Sequence, residues 1–179
     1  MKGIIFTEFF EMVEQKFDYT MVDKLLTNTK LPSGGVYTAV GTYSHTEMVS
    51  LVVSLSQETS IPIPDLLKVF GGYLFKIFSK SYSHFIENAP DAFTFLKSIH
   101  NYIHVEVRKL YPDAELPHFE IEHPQPNTLV MDYHSTRKMS DLAFGLIEAC
   151  LEHFGENASI SQEVINHDGS LVKFVIVKQ

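Results

Sequence analysis

The spacing of apolar residues changes once along this chain, and the change constrains the fold more than any other sequence feature. Up to about residue 111, apolar side chains recur every three or four residues, which is the spacing of amphipathic helices. After residue 118, short segments alternate apolar and polar residues, as half-buried strands do, with one further helical stretch among them. Helices followed by a mostly antiparallel sheet predict an α+β fold with two lobes.

The first lobe is predicted to be helical. Ser44 and Glu47 match a capping box, in which each side chain bonds the backbone N–H of the other residue, so a helix is expected to begin there. Pro62 and Pro64 then interrupt the helical pattern and separate two lobes. The predicted lobes are residues 1–62 and 63–179, and the helices of the first span residues 3–17, 19–29 and 44–59.

The second lobe is predicted to combine helices with a roughly four-stranded antiparallel sheet. A helix over residues 65–79 is expected to bend at Gly71-Gly72, where the missing side chains let another group approach the backbone. Asp91 suits the N-cap of a helix that stops before Pro112. Asp168-Gly169 predicts a tight hairpin turn. The other predicted elements are strands over 119–122, 128–133, 160–166 and 171–177 and a helix over 139–154.

Composition excludes several classes of protein. The net charge of −8 argues against a nucleic-acid partner, which would favour a basic face. The single cysteine, Cys150, rules out an intramolecular disulfide framework and suits a cytoplasmic protein. Neither a signal peptide nor a membrane span is expected, because no apolar run is long enough. The 14 Phe and 8 Tyr, without Trp, either fill a helical core or line an apolar cavity for a cofactor.

Two histidines share the apolar face of the helix that ends before Pro112. His100 and His104 lie one predicted turn apart, so both can face the same buried space. Three interpretations remain open for them: ordinary core histidines, two ligands of a zinc site, or one axial ligand of a haem iron. The zinc interpretation lacks an obvious third ligand, and the spacing alone does not choose between the two histidines.

A polar cluster follows at the end of a predicted strand. In an extended segment Tyr133, Ser135 and Arg137 point to the same side, since alternate residues share a face. Two hydroxyls and a guanidinium fork suit a ligand that carries carboxylates. The alternative is an ordinary strand end with polar side chains in water. Together with a histidine on an apolar helix, the cluster favours a haem pocket, which needs an axial base, apolar walls and donors for two propionates.

Six short stretches of the sequence resemble one known family. They are Met1-Lys2-Gly3 with Ile5, Phe70-Gly71-Gly72, His104 with Pro117 downstream, Tyr133-x-Ser135-x-Arg137, Arg137-Lys138-Met139 and Phe144-Gly145-Leu146-Ile147-Glu148. Over nearly the whole chain these resemble the haem nitric oxide/oxygen binding (H-NOX) domains, which are similar to the haem domain of soluble guanylate cyclase. The resemblance implies one domain over residues 1–179, with haem b (protoporphyrin IX iron) buried between a distal and a proximal lobe.

The resemblance also implies roles for particular residues. His104 matches the proximal iron ligand, which leaves His100 without a role. Tyr133, Ser135 and Arg137 match the residues that hold the propionates. Two further positions match residues that press on the porphyrin and bend it, and four more line the pocket. The first two are Ile5 and Pro117, and the four are Phe9, Leu74, Phe78 and Leu142.

The implied function is that of a gas sensor rather than an enzyme. Family members that hold oxygen place a tyrosine at the position of Leu142, and its neighbours Phe9 and Leu74 are apolar as well. The resemblance therefore predicts a sensor of nitric oxide, with carbon monoxide as a second gas, that excludes oxygen. Tyr73 is the nearest alternative hydrogen-bond donor. Loss of the bond between iron and His104 would signal to a separate effector, either a sensor histidine kinase or a cyclic-di-GMP enzyme.

Two other functions compete with the sensor. One is an enzyme that uses His100 and His104, either a zinc hydrolase or a haem peroxidase, although a peroxidase would need polar acid–base groups beside the iron. The other is a haem-free module that binds a protein or a lipophilic ligand, with the aromatic residues filling its core. A visible absorption spectrum distinguishes all three.

Overall fold

The computed structural model describes residues 1–179 and confirms the α+β class, with helices preceding a four-stranded antiparallel sheet. The chain divides into two units, Met1–Phe70 and Gly71–Gln179. This division falls inside the fourth helix, whereas the proline pair placed the predicted lobe boundary after residue 62. No helix is both long enough and apolar enough to cross a membrane.

The N-terminal unit is built from amphipathic helices, as their apolar spacing predicted. Its first helices are α1 (Gly3–Phe17), α2 (Tyr19–Asn28) and α3 (His45–Thr59). The apolar stripe of α1 is buried at Phe6, Phe9 and Met12, three residues apart, which is the spacing of one helix face. The Phe9 ring packs edge-on against Phe70, with ring centroids 5.3 Å apart.

Glu47 has a different role from the one predicted. Ser44 is the N-cap of α3, but its hydroxyl accepts from the backbone N–H of Thr46 at 3.3 Å and not from Glu47. The Glu47 carboxylate is buried and turned to the preceding loop, where it accepts hydrogen bonds from the Ser33 hydroxyl (2.5 Å) and the Tyr37 hydroxyl (2.8 Å). The prediction of a reciprocal capping box is therefore wrong, because hydroxyl groups of the preceding loop, and not the Ser44 backbone N–H, donate to the Glu47 carboxylate.

The fourth helix, α4 (Ile63–Ser81), runs through Gly71-Gly72 without a break. Of the two glycines, Gly71 serves close packing within the C-terminal unit, as the sequence predicted. A Cβ atom on Gly71 would overlap the carbonyl oxygen of Leu142 and lie 2.8 Å from the backbone nitrogen of Leu146. Both residues belong to α8 (Ser140–His153), so the missing side chain is what lets the two helices approach.

The predicted helix before Pro112 contains a π-helical turn. Asp91 caps α6 (Ala92–Ser98), accepting from the backbone N–H of Thr94 at 2.8 Å. A π-helical segment over Ile99–Ile103 follows, and the backbone N–H of His104 donates to the carbonyl of Ile99, five residues earlier. Then α7 (His104–Leu110) continues to the predicted end. A single wide turn thus precedes His104, where sequence periodicity predicted a regular α-helix.

The four strands form one sheet in the order β1-β2-β4-β3 with antiparallel neighbours. The hairpin between β3 and β4 is the one that Asp168-Gly169 predicted. One face of the sheet is buried, with Phe119, Met131, Tyr133 and Phe174 among its core residues. The strands are β1 (His118–Gln125), β2 (Thr128–His134), β3 (Ala158–Val164) and β4 (Leu171–Lys178), and the short α5 spans Ser83–Glu87.

Substitution of the buried Glu47 tests how much its hydrogen bonds contribute to the stability of the N-terminal unit. Replacing Glu47 by Gln should lower the free energy of unfolding by roughly 1.5–3 kcal/mol at pH 7, the usual contribution of hydrogen bonds to a charged group. Urea unfolding followed by circular dichroism measures this difference. Glu14→Gln on the exposed side of α1 is the matched control and should leave stability unchanged.

The same pair of proteins should show a defined pH dependence. Burial acts to raise the pKa of Glu47, but hydrogen bonds from Ser33 and Tyr37 outweigh it and leave the pKa below the ordinary value. The stabilisation is then complete above the unfolded-state pKa and is lost as the pH falls through the folded-state pKa. The difference from Glu47→Gln should shrink on acidification, and a constant difference would contradict the assignment.

Candidate functional site

His104 is placed by the sheet as much as by its helix. Its ring centroid lies 6.1 Å from that of Phe119 on β1. Phe119 is paired with Tyr133 across the β1–β2 ladder, and their ring centroids are 5.6 Å apart. The three rings therefore form a continuous row from α7 to β2. The row brings together the predicted histidine and the first member of the predicted Tyr-x-Ser-x-Arg cluster.

The environment of His104 keeps its imidazole neutral. Burial, followed by the nearby His100 and Arg108, lowers the pKa of His104 to about 4, while the Pro117 carbonyl acts in the opposite direction. The Nδ1 atom is itself buried and has no partner at hydrogen-bonding geometry. A neutral imidazole with unsatisfied ring nitrogen is the form that binds a metal, so His104 fits the role of an iron ligand.

The Tyr-x-Ser-x-Arg cluster is less extended than predicted. Strand β2 ends at His134, so Tyr133 lies in the strand while Ser135 and Arg137 lie in the turn that follows. The turn is closed locally, because the Ser135 hydroxyl accepts from the backbone N–H of Arg137 at 3.2 Å. Ser135 and Arg137 are thus arranged by a turn and not by the alternation of a strand, whereas Tyr133 is the last buried residue of β2.

Each member of the cluster has a distinct environment. Tyr133 is buried, and its hydroxyl accepts from the backbone N–H of Met139 at 3.3 Å, just before α8 begins. Burial raises the pKa of Tyr133, while hydrogen bonding with Ser135 and Met139 and the charge of Arg137 act in the opposite direction. The Arg137 side chain is 15% exposed and donates to Glu115 at 3.2 Å, whereas the Glu115 side chain is 80% exposed.

A cavity of about 390 Å³ opens beside this turn. Its lining includes Pro117, Ser135 and Arg137, three of the residues singled out from the sequence, together with Glu115 and His134. A guanidinium and a hydroxyl that face one cavity can hold carboxylate groups by charge-assisted hydrogen bonds. His104 and Tyr133 do not line this cavity, so the structure brings only part of the predicted set to it.

The remaining predicted pocket residues belong to helices. In the C-terminal unit, Leu74 on α4 is buried, and Phe78 and Leu142 are half-buried. In the N-terminal unit, Phe9 on α1 is buried and Ile5 is half-buried. All five side chains are apolar, so none of them can donate a hydrogen bond to a bound gas.

A row of histidines near His104 was missed by sequence reasoning. The His100 ring lies 4.2 Å from that of His118 on β1, and His118 lies 5.6 Å from His134 on β2. The available signal was the pairing of the two strands, which sets His118 directly opposite His134.

No group of three or more His, Cys, Asp or Glu side chains is arranged to hold a metal ion, which removes the basis for a zinc hydrolase at His100 and His104.

Comparisons with known proteins agree with one another. The Haem-NO-binding family model matches residues 2–162. The fold is similar to the unliganded Fe(II) H-NOX protein of K. algicida, which is 47% identical, with a TM-score of 0.96 and coverage of 100% of this chain and 97% of that one. The H-NOX protein of S. oneidensis in the Fe(II)NO state is 30% identical, with a TM-score of 0.92 and coverage of 100% and 99%. No curated protein matches.

A further relative is the H-NOX protein of Shewanella woodyi in the Fe(II)CO state with IWP-051 bound. It is 38% identical, with a TM-score of 0.85 and coverage of 100% of this chain and 95% of that one. The similarity therefore extends over the whole chain for structures in several ligation states.

The environments of Tyr133 and Glu115 predict that substitution lowers the free energy of unfolding more at Tyr133 than at Glu115. Tyr133→Phe should lower the free energy of unfolding by about 1 kcal/mol, because it removes the acceptor of the buried Met139 N–H. Glu115→Gln should change it by less than about 1 kcal/mol, since exposed ion pairs contribute little. Urea denaturation of both variants checks the order, and an equal or reversed order would contradict this account of the turn.

Proposed function

Because the chain belongs to the haem-NO-binding (H-NOX) family, whose members are haem-based gas sensors and not enzymes, we propose that it binds haem b and senses nitric oxide while excluding oxygen. The observation that carries the proposal is the half-buried His104, whose lowered pKa keeps the imidazole neutral and whose buried Nδ1 atom has no hydrogen-bond partner. A bound haem would supply an iron able to take up a diatomic gas. Cys150, the one cysteine, is buried, which favours a haem without thioether attachment.

His104 would provide the nitrogen that holds the iron, and Tyr133 together with the turn after β2 would hold the propionates. Arg137 offers the guanidinium fork, Ser135 a hydroxyl and Tyr133 a phenol kept in place by Met139. Pro117 lines the same cavity, which supports its proposed contact with the porphyrin. In the structure the Arg137 guanidinium is paired with the Glu115 carboxylate. Because Glu115 is exposed, a propionate can take its place beside Arg137 at little cost in free energy.

Further pocket residues are proposed from the family resemblance together with their apolar character. Leu74, Phe78 and Leu142 of the C-terminal unit would contact the porphyrin or the gas. Ile5 and Phe9 of the N-terminal unit would do the same, with Ile5 bending the ring as Pro117 does.

Selectivity for nitric oxide follows from the lack of a donor among these residues. Bound oxygen carries partial negative charge and is stabilised by a hydrogen bond, whereas nitric oxide needs none. Leu142, Leu74 and Phe9 cannot supply that bond. Tyr73 lies next to Leu74 on α4, but successive helical residues point in directions about 100° apart, so the two side chains do not share a face.

Signalling is proposed to run through the helix that carries His104. His104 would hold the iron, and its release on binding of nitric oxide would leave residues 92–110 free to move. The effector is proposed to be a separate sensor histidine kinase or a cyclic-di-GMP enzyme, and carbon monoxide is the second gas expected to bind. A signal requires that the gas bind the two positions of the helix with different affinity.

The visible absorption spectrum of the purified protein tests the central proposal. The ferrous protein should show a five-coordinate haem band that shifts with nitric oxide and is unchanged by oxygen. His104→Gly should lose this spectrum and regain it when imidazole is supplied, while His100→Ala should keep it. A colourless protein would favour the haem-free module, and a stable oxygen complex in air would refute the selectivity.

The donor argument also predicts a gain of oxygen binding. Leu142→Tyr should introduce a hydroxyl beside the gas and slow the loss of bound oxygen, measured from the decay of the oxygen spectrum after rapid mixing. Leu142→Phe is the matched control, because it adds the same ring without the hydroxyl. Equal behaviour of the two variants would mean that Leu142 does not face the gas.

A further inference from the structure

The helix that carries His104 is contacted from two sides within the C-terminal unit. On one side, the Phe119 ring of β1 packs against the His104 ring. Tyr102 lies two residues before His104 and therefore points to nearly the opposite side of the helix. There it meets the aromatic junction, residues 82–85, where α4 ends and α5 begins. The sheet and the aromatic junction hold the helix between them.

The first contact of the aromatic junction is made by Phe85. Its ring is buried and meets the Tyr102 ring edge-on, with centroids 5.7 Å apart and ring planes at 87°. Tyr102 belongs to the π-helical segment, so the contact bears on the wide turn that directly precedes His104. Tyr102 is 44% exposed, which means that the contact can be lost without opening the core.

The second contact is made by Tyr82, whose hydroxyl hydrogen-bonds to the Tyr111 side chain. Burial, followed by this hydrogen bond, raises the pKa of Tyr82, so its hydroxyl stays protonated and can donate. Tyr111 caps the C-terminus of α7, where its backbone N–H donates to the Val107 carbonyl at 2.8 Å. The backbone N–H of Tyr82 donates to the Phe78 carbonyl of α4, also at 2.8 Å. The pair thus ties the end of the His104 helix to the end of α4.

We propose that Tyr82 and Phe85 are positioning residues that hold the His104 helix where its imidazole can bind the haem iron. The inference rests on the proposed function, in which His104 is the iron ligand. Neither residue lines the cavity that contains Arg137, so both act through the helix. Phe85 acts from the turn before His104, and Tyr82 acts from the end of α7.

Both contacts are weak enough to break when the helix moves. An aromatic pair or a hydrogen bond between neutral groups changes an equilibrium roughly two- to tenfold. Each contact therefore biases the position of the helix without locking it. Movement of residues 92–110 would part Tyr102 from Phe85 and Tyr111 from Tyr82. The two contacts thus favour the position in which His104 holds the iron and oppose the released one.

Hydrogen–deuterium exchange of the haem-loaded ferrous protein, followed by mass spectrometry, tests whether the aromatic junction holds the helix. Tyr82→Phe removes one hydroxyl and keeps the ring, so the amides of residues 104–111 should exchange roughly two- to tenfold faster. Tyr19→Phe on α2 is the matched control, because Tyr19 is 69% exposed, and it should exchange like the unmodified protein.

The iron–histidine stretching band, measured by resonance Raman spectroscopy, tests whether the junction positions His104. Tyr102→Ala removes the ring that meets Phe85 and should shift or broaden this band, whereas Tyr102→Phe keeps the ring and should preserve it. In His104→Gly supplied with imidazole the ligand is not tied to the helix, so adding Tyr102→Ala should leave the band unchanged. The haem spectrum of each variant shows that the fold is retained.

Two results would overturn the positioning role. One is an exchange rate in Tyr82→Phe, or an iron–histidine band in Tyr102→Ala, that equals that of the unmodified protein. The other is an equal band shift from Tyr102→Ala when free imidazole replaces the His104 side chain, since a general structural change would act in both backgrounds. A band that persists in His104→Gly without imidazole would refute the proposed iron ligand itself, whereas the first two results would leave that ligand in place.

Discussion

The register between β1 and β2 is the constraint on which the C-terminal unit depends. It sets Phe119 opposite Tyr133 in the core and His118 opposite His134 on the outer face. A slip by one residue would exchange the two faces, burying histidines and exposing aromatic rings. The register therefore fixes the apolar surface against which His104 packs. It also fixes the start of the turn that carries Ser135 and Arg137.

The helix that carries His104 shows how tertiary packing modifies a local preference. Residues 92–110 are helical throughout, but the bond from His104 N–H to the Ile99 carbonyl widens one turn. A wide turn costs regular hydrogen bonding and is retained where packing requires it, which is frequently at functional sites. Here it immediately precedes the half-buried histidine that packs on Phe119, so the backbone irregularity and this imidazole adjoin.

The burial of a charged group determines whether it stabilises the fold or is available to a ligand, and each unit provides one example. Glu47 is buried, and hydroxyl donors from Ser33 and Tyr37 hold it in its ionised form. Arg137 is mostly buried as well, but its partner Glu115 reaches it from solvent. The Glu47 carboxylate is surrounded by hydrogen-bond donors and therefore contributes to folding stability. The exposed Glu115 carboxylate contributes little, so a ligand carboxylate can replace it.

The sequence by itself determined the long helices, the four strands and the β3–β4 hairpin, because apolar periodicity and signals such as Asp91 and Asp168-Gly169 act locally; it missed the short α5 and the turn at Ser135. It also identified His104 and the Tyr-x-Ser-x-Arg cluster through a family resemblance. Only the tertiary structure decided the π-helical turn, the partners of Glu47 and the row formed by the rings of His100, His118 and His134. Each of these depends on groups distant in sequence or on a backbone hydrogen-bond pattern, and neither leaves a periodic signal along the chain.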